Sequence, residues 1–372
     1  MRVAVLDRAE FPRVKLCAGW LSPEFWDAAG ISPREYPRGL WEWHKAYVHY
    51  RGRAYAIPCH GWFIRRCELD DYLLRASGAE LVLGVHVDDV TRDADGLWHA
   101  GGLRAPLIVG AGGTHCPVSR ALRPPRPRRA VGVQELEVPV GAADVARTRI
   151  GDDGEPELLL FDDLSGYGWN VPKSDWLNVG CGTLEATRVR EAWRTTYAHL
   201  RAAGHLPGTA DAKLAHMKGH SYYLFDPVHF DGAARDGALL VGDALGLAHP
   251  LTAEGILPAT VSGRVAAEAI LAGAWRCYPE RLRAHPVIAE YRRVHQLVEA
   301  GRALRDKLAR PAQRPGQRNP TNGSRQRRWR PGRALAERAV ARGFAWMFSG
   351  RPLPGGRLVE QIADRLPQER RA

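Results

Sequence analysis

The sequence predicts an α/β fold: a domain with a parallel central sheet, interrupted by an antiparallel β-rich insertion and followed by a helical tail. Three observations predict it. Short apolar runs end in an acid or a glycine, as buried parallel strands do: Arg2–Leu6 before Asp7, Leu107–Val109 before Gly110-Ala111-Gly112-Gly113, and Ala238–Val241 before Gly242-Asp243. Helical patterns stand between or after them, at 67–79 with Gly78 as a stop, and from about 254 to 273. Between the second and third runs, residues 130–235 hold short β-like stretches (131–138, 157–161, 176–181) and one helical segment near 188–203.

The remaining elements follow in order. Glu80–Val85 reads as a strand, and Asp95-Gly96 as the turn of a hairpin. Prolines at 124, 125 and 127, among arginines, mark a crossing between domains. Residues 280–310 are amphipathic and helical, 311–332 form a basic linker rich in Pro, Arg, Asn and Gly, and 333–349 are amphipathic again, with Phe344, Trp346, Met347 and Phe348. The expected division is 1–125 and 237–275 for the first domain, 126–236 for the inserted one, 276–310 for a helical extension, then the linker and a terminal segment to 372.

With 372 residues, 45% hydrophobic and 25% charged, the chain is long and apolar enough for a large core. No apolar run approaches the roughly 20 residues that span a bilayer, and Met1 onward lacks the pattern of a secretory signal, so the expected location is the cytoplasm. The net charge of +12 is uneven: residues 301–372 hold 18 basic and 5 acidic residues, and residues 1–300 hold 35 and 36. The main body is therefore neutral and carries no nucleic-acid footprint. The basic tail, with Arg325, Arg327, Arg328 and Arg330 around Trp329, has two readings, a peripheral membrane contact or a solvated linker. The six cysteines show no CxxC spacing, and His44, His49 and His60 show no metal-like spacing with carboxylates.

The chemistry concentrates in 237–256, GALLVGDALGLAHPLTAEGI. A buried strand delivers Asp243, which can accept bonds from polyol hydroxyls, between glycines that admit close backbone approach. Gly255 then opens a helix whose first N–H groups are free. His249 reads as a solvated loop histidine, or as an acid beside the ligand.

This segment resembles the second FAD motif of the flavoprotein class that includes aromatic hydroxylases, flavin halogenases and geranylgeranyl reductases. Other segments resemble the same class in the same order: Leu6-Asp7-Arg8 with Phe11-Pro12-Arg13; Lys15-Leu16-Cys17-Ala18-Gly19, similar to the Lys-x-Cys-x-Gly-Gly of geranylgeranyl reductases with Trp20 in place of the last glycine; Arg66-Cys67-Glu68-Leu69-Asp70; and Tyr167-Gly168-Trp169-Asn170-Val171-Pro172-Lys173, similar to a Tyr-x-Trp-x-Phe-Pro cavity motif with Val171 in place of Phe. Two further departures stand out. The Gly-Ala-Asp-Gly of the class is here Gly110-Ala111-Gly112-Gly113, and no GxGxxG precedes Val3. The expectation is that Met1 is an internal methionine taken as a start.

The resemblance, over about residues 1–275, implies a glutathione-reductase-type FAD-binding domain with an inserted substrate domain. It implies cofactor contacts at Asp7, Arg8, Arg66, Val87, Gly110, Gly242, Asp243, Gly246, Pro250, Gly255 and Ile256. It implies a catalytic thiol at Cys17 and substrate contacts at Tyr167, Trp169 and Pro172, with no metal. The implied activity is reduction of carbon–carbon double bonds in a hydrophobic, isoprenoid-like substrate, with FAD as cofactor and NAD(P)H or another donor supplying electrons. Alternatives are a flavin monooxygenase or halogenase, or a non-catalytic remnant. Tyr222 and Tyr223 are read as cavity walls or core, as are Trp41, Trp43 and Trp62.

Overall fold

The computed structural model describes residues 1–124, 128–141, 144, 154–206, 217–309 and the isolated positions 338, 340 and 343. The basic linker and most of the terminal amphipathic segment lie outside the described residues; Arg338, Val340 and Gly343 are helical.

In chain order the elements are β1 (Ala4–Asp7), β2 (Trp20–Leu21), α1 (Pro23–Ala29), β3 (Leu40–Tyr50), β4 (Arg53–Ile64), α2 (Arg66–Ala76), β5 (Glu80–Leu83), β6 (Thr91–Arg92), β7 (Trp98–Ala100), β8 (Leu103–Ala105), β9 (Ile108–Gly110) and α3 (Pro117–Leu122). There follow β10 (Ala130–Pro139), β11 (Glu157–Leu160), β12 (Gly166–Lys173), β13 (Trp176–Thr183), α4 (Val189–Ala202), β14 (Lys218–Tyr223), β15 (Ala234–Arg235), β16 (Ala238–Leu240), α5 (Gly242–Leu245), α6 (Ile256–Leu271), α7 (Tyr278–Ala284) and α8 (Pro286–Ala309).

The predicted parallel sheet is present in two pieces. β1 pairs with β5 in parallel, Ala4 opposite Glu80 and Asp7 opposite Leu83. β16 pairs with β9 in parallel and with β15 antiparallel. Among the described residues, β1 and β9 each have one strand neighbour, and both flank the cavity described below. Helix α6 packs Leu257, Val261, Val265 and Ala269 into the main core beneath β16, where Tyr278 donates its hydroxyl to Leu240 O at 2.8 Å.

The second layer is an eight-stranded sheet in the order β14-β10-β13-β12-β11-β3-β4-β2. Sequence patterning found β10, β11 and β13 but assigned nothing to 20–64. There the structure has a long hairpin, β3–β4, turned at Arg51-Gly52 with both φ positive (52° and 74°). That is the backbone a two-residue hairpin turn requires. Alternate residues of β3, Trp43, Ala46, Val48 and Tyr50, fall on its buried side; a register shift between Trp43 and Lys45 breaks the period and hides the strand from pattern reading. β12, read in the sequence as a motif, is a full strand between β11 and β13. The sheet is thus antiparallel except for the parallel β11–β3 pair. Helix α4 covers one of its faces, and the apolar positions of the other contribute to the cavity.

Candidate active site

A cavity of about 2420 Å³ runs between the two layers. Ligand pockets for drug-sized molecules are roughly 300–1,000 Å³, so this one has room for a dinucleotide and an elongated second molecule. Along it lie Asp7, Arg8, Cys17, Arg66, Val87, Gly110, Gly242, Asp243, Gly255 and Ile256, together with Tyr167 and Trp169. Segments far apart in sequence, Asp7 and Ile256 at the extremes, thus meet at one site.

Three of the predicted contacts fall elsewhere, for packing reasons. Gly246, at φ 82°, lies over His229, whose Nδ1 pairs with Gly246 O at 3.0 Å. Pro250 is buried at the turn before Leu251, and Pro172 is buried opposite Leu177 in the β12–β13 ladder. None of the three is among the described cavity-lining residues.

The loop 249–255 is clamped from both sides. His249 is buried, so the solvated-loop reading is overturned. Its Nδ1 accepts the N–H groups of Leu251 and Thr252 at 3.2 and 3.0 Å, and burial pushes its pKa down to about 3, which keeps it neutral and makes it a backbone anchor. From the sheet, Tyr167 donates its hydroxyl to Thr252 O at 2.6 Å and Tyr222 donates to Ala253 O at 3.0 Å. Ala253 is held at φ 60°. Glu254 accepts Leu257 N–H at 2.7 Å and the Tyr291 hydroxyl at 2.9 Å, and burial pushes its pKa up to about 7. The helix N–H groups expected to be free are thus partly taken: Leu257 is capped by Glu254, and Pro258 has no N–H.

Charge gathers where the strands end. Arg66 holds Asp70 in a fork at 2.7 and 3.0 Å, and Arg13 approaches the same carboxylate at 3.3 Å. Lys15 has its pKa lowered by the adjacent Arg66 charge and by burial, with Asp243, Asp70 and Cys17 acting the other way. Asp243 has its pKa raised by desolvation, against Lys15 and Arg66, which act on it through charge alone. A desolvated acid facing a cavity beside crowded cations fits a ligand with both hydroxyl donors and anionic groups, as the flavin half of FAD has. Loss of the charge at Asp243→Asn is therefore expected to raise the melting temperature of the ligand-free protein near pH 7. The sign follows from linkage: a raised folded pKa means a stability contribution present at low pH and lost as pH rises. The same variant is expected to weaken FAD by about 10–100-fold, through loss of a charged acceptor worth roughly 1.5–3 kcal/mol. Thermal scans and flavin titration check both signs.

Cys17 sits at the junction of the layers. Its Sγ accepts Gly19 N–H at 3.3 Å, and its carbonyl accepts Asn178 Nδ2 at 3.2 Å, while Asn178 Oδ1 accepts Trp169 Nε1 at 2.7 Å. The site residue that sequence reading missed is Glu135 on β10. It lines the cavity, is 1% exposed, and neither carboxyl oxygen has a hydrogen-bond partner among the described residues. Burial pushes its pKa up to about 8; Glu137 reinforces this, and Lys173, Arg66 and Lys15 oppose it. At neutral pH it is predominantly a carboxylic acid in an apolar wall.

No family model matches the chain. It is 28% identical over 304 residues to a menaquinone reductase of Mycolicibacterium smegmatis, covering 73% of this chain and 71% of that protein. It is 29% identical over 239 residues to a chloroplastic geranylgeranyl diphosphate reductase of Oryza sativa subsp. japonica, covering 56% of this chain and 48% of that protein. In fold it is similar to a flavin-dependent brominase triple mutant (TM-score 0.59, 17% identity, 98% and 92% of the two chains). It is equally similar to a geranylgeranyl bacteriochlorophyll reductase-like protein of Thermoplasma acidophilum (TM-score 0.57, 17% identity, 99% and 91%). In the order of its motifs and the cavity that collects them, the chain is similar to the menaquinone and geranylgeranyl diphosphate reductases, and its fold is that of flavin-dependent enzymes.

Proposed function

We propose that this protein reduces carbon–carbon double bonds of a hydrophobic, isoprenoid-like substrate. The observation that carries the reading is the wall that the large sheet gives the cavity. Val131, Val133, Leu158, Leu160, Trp169 and Val171 form an apolar surface into which the buried carboxyl of Glu135 is set. Bound FAD in its reduced form would supply hydride chemistry at one carbon of the double bond, and the protein's own part is to deliver a proton to the other carbon. Glu135, kept protonated by its surroundings, is suited to that delivery, with the Cys17 thiol as a second donor on the same wall. Asp7 is suited to ribose hydroxyls at a strand end, Asp243 to the ribityl chain, and Arg66 and Lys15 to phosphate or reduced-ring charge. Tyr167 and Trp169 wall the substrate side.

In this reading residues 1–125 and 237–275 hold the cofactor and 126–236 wall the substrate, with β2, β3 and β4 joining the layers. No described helix is long and apolar enough to cross a membrane, so a lipid-derived substrate would be drawn from a bilayer surface or a carrier.

The test uses chain loaded with FAD, reduced chemically without oxygen, and mixed with polyprenyl diphosphates and polyprenyl quinones. Flavin reoxidation and a product heavier by one hydrogen molecule are expected. Flavin that binds and is reduced, yet leaves every polyprenyl double bond intact, would defeat the substrate assignment. Oxygenation or halogenation of an added aromatic, in the presence of oxygen, would favour the monooxygenase or halogenase alternative.

A further inference from the structure

On the face of the large sheet that carries α4, the buried carboxylate Glu157 opens β11 and is surrounded by imidazoles from three places in the chain. His49 Nε2, from β3, is 2.9 Å from Oε1, and His199 Nε2, from the last turn of α4, is 3.0 Å from the same oxygen. His205 Nδ1, just past α4, lies 2.8 Å from Oε2. None of the four residues lines the cavity. We propose that Glu157, His49 and His199 form a binding site for a divalent cation of the zinc class, with His205 positioning the carboxylate.

The geometry supports a shared ion over a set of ordinary hydrogen bonds. The donor atoms of Glu157, His49 and His199 lie within 4.8 Å of one another. Zinc bonds of roughly 2.0–2.2 Å place tetrahedral ligand atoms a little over 3 Å apart, close to the 2.9 and 3.0 Å that separate the carboxylate oxygen from the two nitrogens. His49 Nε2 is buried, and despite the 2.9 Å separation it makes no hydrogen bond of acceptable angle. A cation between the donors would satisfy it. The two imidazoles meet edge to face with centroids 4.6 Å apart.

Chemistry narrows the ion. A set of two imidazoles and one carboxylate, with a fourth position open to water, suits zinc and related transition metals and not calcium or magnesium, which take oxygen. His205 Nδ1 lies 2.8 Å from the second carboxylate oxygen, which also accepts Asn170 Nδ2 at 3.3 Å. Hydrogen bonds that orient the ligating carboxylate in this way are a common feature of zinc sites. The bound ion would fasten α4 to β3 and β11, a structural role away from the flavin. Because the histidines must lose protons to bind it, affinity is expected to fall below about pH 6.

The experiment titrates the chelator-stripped full chain with cobalt(II) and reads the visible bands of a tetrahedral ion, then counts zinc by elemental analysis. About one ion per chain is expected, lost in His49→Gln and in His199→Gln and weakened about 10–100-fold in His205→Gln. The exposed group Glu42, His44 and His60 is the competing location, so the double variant H44Q/H60Q should bind as the parent does. A parent chain that binds neither metal overturns the proposal, as does equal binding by His49→Gln and His199→Gln, or loss in H44Q/H60Q. Should the buried variants fail to fold, zinc-edge X-ray absorption of the parent and of H44Q/H60Q decides. An unchanged imidazole signature supports the site, and its disappearance removes it.

Discussion

Glu135→Gln is expected to lower double-bond reduction by about 10²–10³-fold, within the usual range for removal of a general acid, while FAD affinity stays within about twofold. The argument starts from desolvation. The carboxyl is 1% exposed and neither oxygen is hydrogen-bonded among the described residues, so the ionised form is costly and the pKa rises to about 8 in spite of three cations nearby. Glutamine keeps shape and polarity but cannot give up a proton. The parent rate should therefore fall as pH rises through about 8, and the variant should lack that limb. Stability falls over the same pH span. A carboxyl whose folded pKa exceeds its unfolded value contributes stability at low pH that is lost as pH rises toward about 8. Above that pH the glutamine variant should melt no lower than the parent, which separates a catalytic loss from unfolding. Cys17→Ser is the companion variant: if it costs more than Glu135→Gln, and carries the pH limb with it, the thiol is the proton donor.

The parts of this site legible in the sequence are those where one short segment states its own chemistry. A strand that runs into Gly242-Asp243, with a helix opening at Gly255, has a local signature because strand end, turn and helix start are adjacent in the chain. Glu135 has no such signature. In Val131-Gly-Val-Gln-Glu-Leu-Glu-Val138 it is one of two glutamates on an amphipathic strand, and its burial comes from strands distant in sequence, with Gly180 of β13 and Lys218 of β14 paired beside it. Glu157, His49 and His199 are separated by more than a hundred residues in one case and forty in the other; a spacing rule cannot find ligands that the β11–β3 pairing and α4 bring together. Gly246 and Pro250 lie inside the legible motif, yet they serve packing and turn geometry, which a motif reading does not distinguish from contact. His249 illustrates the same point: a histidine before a proline reads as a solvent loop, and Tyr167, Tyr222 and Tyr291, all distant in sequence, enclose it or its loop.

Gly19→Ala is expected to cost about 2–4 kcal/mol of stability and to weaken flavin binding at least tenfold. Gly19 ends the Lys15–Gly19 segment where the chain touches β4. Its carbonyl accepts Ile64 N–H at 2.9 Å, its φ is 69°, and a Cβ there would stand 2.0 Å from Ile64 O and 3.1 Å from Lys173 Nζ. A side chain would therefore be strained in backbone and would also push the segment off the sheet. The next residue leaves no slack: Trp20, which takes the place of a second glycine, is buried edge-on against Trp43 and Phe63 at 4.4 and 5.2 Å. A shift at 19 can then be relieved only toward Cys17 and Lys15, which face the cavity. Gly30→Ala is the control. Its φ of 68° is nearly the same, but its nearest outside neighbour would be the flexible Arg264 Nη1 at 3.8 Å, so strain alone applies, about 1 kcal/mol. Chemical denaturation and flavin titration of both variants measure the difference. Equal stability losses would mean that the contact with Ile64 is not what fixes the cavity segment, and normal flavin affinity in Gly19→Ala would mean that the segment does not position the cofactor.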